Sequence, residues 1–154
     1  MGRQVETNMK ILIFGLPGSG KTTLAKPLAE LLNGVHLNAD NIREKYNDWD
    51  FSPVGRQRQA ERMRHLADGV VLANKIAVSD FVCPTDEARK IFDADFTIWM
   101  DTIQEGRFED TNKMFVRPYE AYVDYHVSEW FDDTHEVLMP IVKIWMERNK
   151  NGTV

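Results

Sequence analysis

Short continuous apolar runs alternate along this chain with longer stretches whose apolar positions recur every three or four residues. Lys10-Ile11-Leu12-Ile13-Phe14 is apolar without alternation, the pattern of a strand buried on both faces of a parallel sheet. Residues 35–37, 75–78, 95–101 and 122–127 read as further strands. Between them the pattern predicts helices. The first follows the opening strand and runs to about Leu32, stopping at the C-cap pair Asn33-Gly34; Pro27 inside it predicts a kink. Others cover residues 41–46, 54–72, 85–92 and 133–148. In the helix over 54–72, Ala60, Met63, Ala67 and Val70 form one buried stripe. In the last helix Val137, Leu138, Ile141 and Trp145 read as core, with Pro140 bending the rod. Strands alternating with helices predict an α/β domain, a parallel sheet covered on both faces. Right-handed crossovers then bring the strand ends to one rim.

At that rim the first strand runs into Gly15-Leu16-Pro17-Gly18-Ser19-Gly20-Lys21-Thr22, which matches the phosphate-binding loop pattern in full. A bound triphosphate needs many backbone N–H donors converging on it, and glycines let the backbone bend close without a Cβ in the way. The helix that follows adds its positive end. Lys21 is placed to neutralise the β- and γ-phosphates, and the Thr22 hydroxyl to coordinate Mg²⁺. The expected nucleotide contacts are Gly15, Pro17, Gly18, Ser19, Gly20, Lys21, Thr22 and Thr23. The bland alternative is a Gly-rich turn that binds nothing.

Other charged residues fall on the same rim. Asp40, in Asn38-Ala39-Asp40-Asn41, follows the second strand; it either serves a ligand or caps the helix over 41–46. Trp49 and Phe51, in the irregular link after it, are either core plugs or pocket walls. Arg56, Arg58, Arg62 and Arg64 open the long helix, and spacing allows two of them to face the crevice. The third strand ends at Asp80, resembling a Mg²⁺-organising carboxylate. Basic residues of the segment 102–118, Arg107, Lys113 and Arg117, are candidates to close over phosphates.

Composition narrows the setting. With 154 residues and 43% hydrophobic content the chain supports one domain, expected over residues 9–150 after a flexible polar arm at 1–8. A net charge of −5 favours small anionic ligands over nucleic acid, save a strand end. One cysteine, Cys83, excludes an internal disulfide, and no apolar run approaches the ~20 residues that span a bilayer. No signal-peptide core is present, so the expectation is a cytoplasmic protein without a membrane partner.

From Lys10 to Asp101 the chain resembles the adenylylsulfate kinases, phosphate-loop enzymes that phosphorylate the 3′-hydroxyl of adenylylsulfate with MgATP. Where the family has Asp-Gly-Asp-Asn-Val-Arg, this chain has Asn38-Ala39-Asp40-Asn41-Ile42-Arg43. The second Asp, kept as Asp40, is the acid/base that the resemblance implies, acting with Lys21; the first is Asn. Phe51-Ser52 followed by Arg56 and Gln59 resembles the family's Gly-Phe-Ser, then Arg and Asn, which grip the acceptor. Phe81-Val82-Cys83-Pro84 resembles the Phe-Ile-Ser-Pro of the acceptor pocket, with Cys83 for Ser. Met100-Asp101-Thr102 resembles the Val-Asp-Thr ending the fourth strand.

The resemblance implies a three-layer P-loop NTPase fold of nucleoside-monophosphate-kinase type, with ATP and Mg²⁺ as cofactors. From the loop and strand-end patterns above, the expected metal residues are Thr22 and Asp80, and Arg107 of the basic segment joins the expected nucleotide contacts. Asp40, Arg43, Phe51, Arg56, Gln59, Phe81, Val82, Cys83 and Lys113 make the acceptor set, for a small nucleotide-like anion. A homodimer is compatible with this reading. Two departures stand out. The long basic lid of the family is missing, since Asp110-Thr111-Asn112-Lys113-Met114-Phe115 leads almost straight to Pro118-Tyr119. Only Arg62 remains of a tandem arginine pair, its neighbour being Glu61. The donor machinery also suits a nucleoside, nucleotide or polynucleotide kinase, or a nucleotide-binding module that regulates a partner.

Overall fold

The computed structural model describes residues 8–106 and 108–152, with side chains described to residue 149. Most of the expected N-terminal arm, and Arg107, lie outside the described residues. Five strands, β1 (Met9–Gly15), β2 (Val35–Asn38), β3 (Ile76–Asp80), β4 (Phe96–Met100) and β5 (Tyr125–Val127), form one parallel sheet in the order β2-β3-β1-β4-β5. The central β1 pairs with β3 on one side (Met9 with Ile76) and β4 on the other (Ile11 with Phe96). Every residue of β1 is buried, as its unbroken apolar run requires. The connection from β1 leaves toward β2 and the chain later recrosses to β4, so β1 is the switch point where an open sheet leaves a crevice at its carboxyl ends.

Two apolar layers sandwich the sheet. On one face α1 (Lys21–Leu31) and α6 (Thr134–Gly152) pack Leu24, Leu28, Leu138 and Val142 over Ile11, Ile13 and Val78. On the other, α2 (Ala39–Tyr46), α3 (Pro53–Leu72) and α4 (Asp86–Phe92) pack Ile42, Ala60, Met63 and Phe92 over Leu12, Phe14 and Ala77. A short α5 (Glu109–Met114) follows β4. The α3 stripe is buried at Ala60, Met63 and Ala67. In α6 the expected core position Val137 is instead 44% exposed, while Leu138 and Val142 point inward. One helical step of 100° separates Val137 from Leu138, and α1 admits only the second.

Local chemistry sets where each element starts near the rim. The C-cap of α1 puts Asn33 in the left-handed region (φ 51°) while the Gly34 N–H donates to the Ala29 carbonyl at 2.8 Å, closing the helix just before β2. Ser52 caps α3, its hydroxyl accepting from the Gly55 N–H at 3.2 Å, with Pro53 in the first turn where no N–H is needed. The β3–α4 loop turns through Cys83 at φ 43°. That bend is held by Arg89 of α4, fully buried, whose guanidinium donates to the carbonyls of Cys83 (3.1 Å) and Val116 (2.7 Å) and to Asp86. The same cation lies 4.6 Å from the Phe14 ring centroid, tying this loop to β1. Arg89→Leu leaves those carbonyls without their donor and should lower unfolding free energy by about 3 kcal/mol. Urea denaturation checks this, and a loss under about 1 kcal/mol would mean water takes over both carbonyls.

Candidate active site

The carboxyl ends of β1, β2 and β3 open into a crevice of about 1190 Å³. One wall is the phosphate loop. Gly15 sits so close to β4 that a Cβ there would stand 2.5 Å from the Met100 carbonyl oxygen. Gly20 is left-handed (φ 96°) and lies under the Trp130 ring, which a Cβ would meet at 3.1 Å. Thr102 braces the loop from outside, donating to the Ser19 carbonyl at 2.7 Å. Pro17, Gly18, Gly20, Lys21, Thr22 and Thr23 face the crevice, whereas Gly15 and Ser19 are buried in the loop's own packing.

The Lys21 ammonium folds back to the Leu16 carbonyl at 3.0 Å. Burial pushes its pKa down to about 8, against the pull of Asp80 and Asp40. Thr22 donates to Asp80 at 3.0 Å, and the Asn38 amide donates to both Thr22 and Asp80. His36 hydrogen-bonds the second oxygen of Asp80. Among the described residues no group of three or more His, Cys, Asp or Glu forms a metal cage. A hydroxyl beside a single carboxylate fits a hard cation that takes most of its ligands from phosphate and water, as Mg²⁺ does.

Asp40 lies in the first turn of α2, and the cap is Asn38, whose side chain accepts from the Asn41 N–H at 3.0 Å. This corrects the capping alternative for Asp40, which is exposed, lines the crevice and stands near enough to Lys21 and Arg43 to favour their charged forms. Beyond it, Arg43 donates to the carbonyls of Asp48 (3.0 Å) and Asp50 (3.1 Å), and Arg56 to the Phe51 carbonyl and the Thr111 hydroxyl (2.7 Å). Both guanidiniums lie against the Phe51 ring, 4.4 and 5.3 Å from its centroid. Among the described residues neither forms an ion pair with a carboxylate. Burial and then Arg43 itself hold Arg56 below the usual arginine range.

The two arginines expected to turn inward reduce to one. Of the four on α3 only Arg56 lines the crevice. Arg58 and Arg62 clamp Asp48 at 2.7 and 2.8 Å and hold its carboxyl well below the usual range, while Arg64 pairs with Asp68. Gln59 lines the crevice, but its amide is engaged by the Ala39 carbonyl and Arg62, so it fixes α2 against α3. Trp49 and Phe51 are half-exposed crevice walls, and Phe81, Val82 and the buried Cys83 form its floor. Among the described residues, the segment after β4 does not fold basic side chains over the crevice. Lys113 is exposed and paired with Glu109 along α5, and Arg117 covers Trp99. Phe108, Asp110, Thr111 and Met114 face inward instead, because α5 turns its lysine away from the wall. His36, Thr111, Phe108 and Trp130 carried no sequence signal: each gains its place through contacts distant in the chain.

The adenylylsulphate kinase family model matches residues 7–110, more than half of the sequence. The chain belongs to that family. A probable adenylyl-sulfate kinase of Aeropyrum pernix is 31% identical over 96 residues, 56% of this chain and 51% of the relative. The structure of the Mycobacterium tuberculosis adenylylsulfate kinase solved with AMPPNP and APS superposes with a TM-score of 0.73 at 18% identity, covering 88% of this chain and 98% of the other. A shikimate kinase from Acinetobacter baumannii, solved with shikimate, superposes at 0.65 with 18% identity over 93% and 96%. At these identities the structures establish the three-layer P-loop kinase fold alone. The chain spans about half the length of the curated relatives it matches, from 36% to 60%. No helix of the described residues is long and apolar enough to cross a membrane.

Because the Lys21 pKa falls below the ordinary 10.5, the empty site favours the neutral amine above about pH 8. By itself this residue lets the ligand-free fold gain stability as pH rises from about 8 to 10.5, where the unfolded chain holds the extra proton. A polyphosphate restores the charge, so ATP affinity should fall by up to about tenfold per pH unit above 8, with proton uptake on binding. Calorimetry at pH 9 in two buffers of different ionisation enthalpy reads that proton. Lys21→Met should lose both the uptake and most of the affinity without lowering the melting temperature of the ligand-free protein.

Proposed function

We propose that this protein is an ATP- and Mg²⁺-dependent phosphotransferase whose acceptor is a small nucleotide-like anion, with adenylylsulfate the best single candidate. The observation that carries the reading is the pair Arg43 and Arg56. Two cations, Arg43 buried and Arg56 half-buried, share one aromatic ring, and neither is ion-paired with a carboxylate among the described residues, across a crevice from a phosphate loop. Such a pair is relieved by an incoming sulfate or phosphate, which guanidinium forks match in two-point contacts. A mere nucleotide switch has no use for this second pocket.

Loop amides and Lys21 would hold the donor phosphates, and Thr22 with Asp80 would hold Mg²⁺, which neutralises charge on the β- and γ-oxygens when bound. Asp40, exposed between the two halves of the crevice, is placed to orient the acceptor hydroxyl and take its proton. The Phe51 ring is in large part covered by the two guanidiniums, so an acceptor base finds its apolar contacts on Trp49 and Phe108 as well. Without a long lid, water is excluded only by this fixed wall, and related anions compete with the best acceptor. One cysteine and a net charge of −5 fit work inside the cell on a small anion.

Turnover with labelled ATP against adenylylsulfate, AMP, shikimate and nucleosides tests the reading; activity confined to a neutral acceptor would overturn the anion assignment. Asp40→Asn should cut turnover by roughly 10²-fold or more at unchanged melting temperature, since the helix keeps its Asn38 cap. Arg56→Ala should raise the acceptor KM at least tenfold and leave the ATP KM nearly unchanged. Equal changes in both constants would place Arg56 in the donor half.

A further inference from the structure

We propose that His36 is the positioning residue that holds Asp80 beside Thr22, and that the uncharged Asn38 next to it leaves the end of β3, rather than the end of β2, to supply the carboxylate for the metal's water shell. The inference deepens the phosphotransfer reading above and rests on it.

The family motif carries Asp at the position of Asn38, and an asparagine has no charge to offer a cation. Asn38 and Asp80 are register partners in the parallel pair of β2 and β3, so the two positions present side chains at the same height on the same face. One carboxylate can therefore be supplied from either strand to nearly the same point. The hydrogen bonds show which arrangement this chain has adopted. Asn38 accepts from Asn41 through its oxygen and donates through its nitrogen to Thr22 (3.1 Å) and to Asp80 (3.2 Å). An aspartate at 38 could keep the cap, but it has no donor for Asp80 and would set two like charges side by side.

His36 stands two residues before Asn38 on β2, hence on the same strand face. Its Nε2 donates to one Asp80 oxygen while Thr22 and Asn38 donate to the other. The Asp80 side chain is 3% exposed, whereas His36 borders a second cavity of about 530 Å³ at the sheet edge, lined also by Lys26, Glu30 and Asn41. With both oxygens held, the carboxylate cannot rotate away from Thr22, the hydroxyl at the head of α1 that faces the crevice. Outer groups that fix a metal-ordering carboxylate are commonly worth 10- to 100-fold in metal affinity.

The test measures Mn²⁺ affinity of the protein–ADP complex by electron paramagnetic resonance of the free ion, beside ADP affinity in EDTA and the thermal melt. Asp80→Asn and His36→Ala should each weaken Mn²⁺ by roughly tenfold or more while leaving metal-free ADP binding within about threefold. His36→Gln, whose amide can donate to the same oxygen, should recover most of the loss. The exchange Asn38→Asp with Asp80→Asn should recover Mn²⁺ affinity that Asp80→Asn alone lacks, since the register of β2 on β3 sets the new carboxylate at nearly the same point. Unchanged Mn²⁺ affinity in both Asp80→Asn and His36→Ala, with normal ADP binding, would overturn the proposal and leave the phosphotransfer reading standing. Loss in His36→Ala without rescue by His36→Gln would overturn the positioning role. Absence of ADP binding by the wild-type protein would overturn both.

Discussion

The close approach of the phosphate loop to β4 is the contact on which the rest of the molecule depends. A Cβ at Gly15 would stand 2.5 Å from the Met100 carbonyl oxygen, and one at Gly20 would press on the Trp130 ring. The loop can only take its shape because those side chains are absent, and Thr102 then pins it from outside through the Ser19 carbonyl. This close contact delivers Lys21 and Thr22 to the head of α1 at the switch point of the sheet. Everything chemical faces that point from β2, β3, α2 and α3.

The crevice has two halves, the fixed backbone of the phosphate loop and a wall of restrained cations proposed above to take the acceptor. Arg43 and Arg56 are held by carbonyls, a hydroxyl and one aromatic ring, none of which cancels their charge. The link between α2 and α3, the helices that carry them, is itself tied down by Asp48, clamped between Arg58 and Arg62. These ion pairs fix where the wall that carries Arg43 and Arg56 stands. Arg89 does the same for the floor, by holding the Cys83 bend.

Much of this was legible in the sequence wherever the cause is local. The glycine-rich loop, the buried run of β1, the Asn33-Gly34 stop and the stripe of α3 all follow from rules acting within a few residues. Residues whose placement depends on a partner far along the chain were not legible. Asn38 takes the cap left open for Asp40 because the β2 end is also tied to Asp80, 42 residues away. Lys113 looked like a phosphate ligand by charge alone, yet Phe108 at the cap of α5 and Thr111 and Met114 within it face the crevice, and the lysine is left to Glu109. His36 carries no motif at all, and its meaning comes only from the parallel register of β2 on β3.

The proposed function requires one crevice to hold two anions at once, a triphosphate on the loop and an acceptor on the arginines. It is tested most directly by calorimetric titration of adenylylsulfate into protein already saturated with a magnesium complex of a non-hydrolysable ATP analogue. The expected result is a ternary complex of one acceptor per chain, weakened at least tenfold by Arg56→Ala while the analogue stays bound. Mutually exclusive binding, with the acceptor displacing the analogue from the phosphate loop, would contradict it.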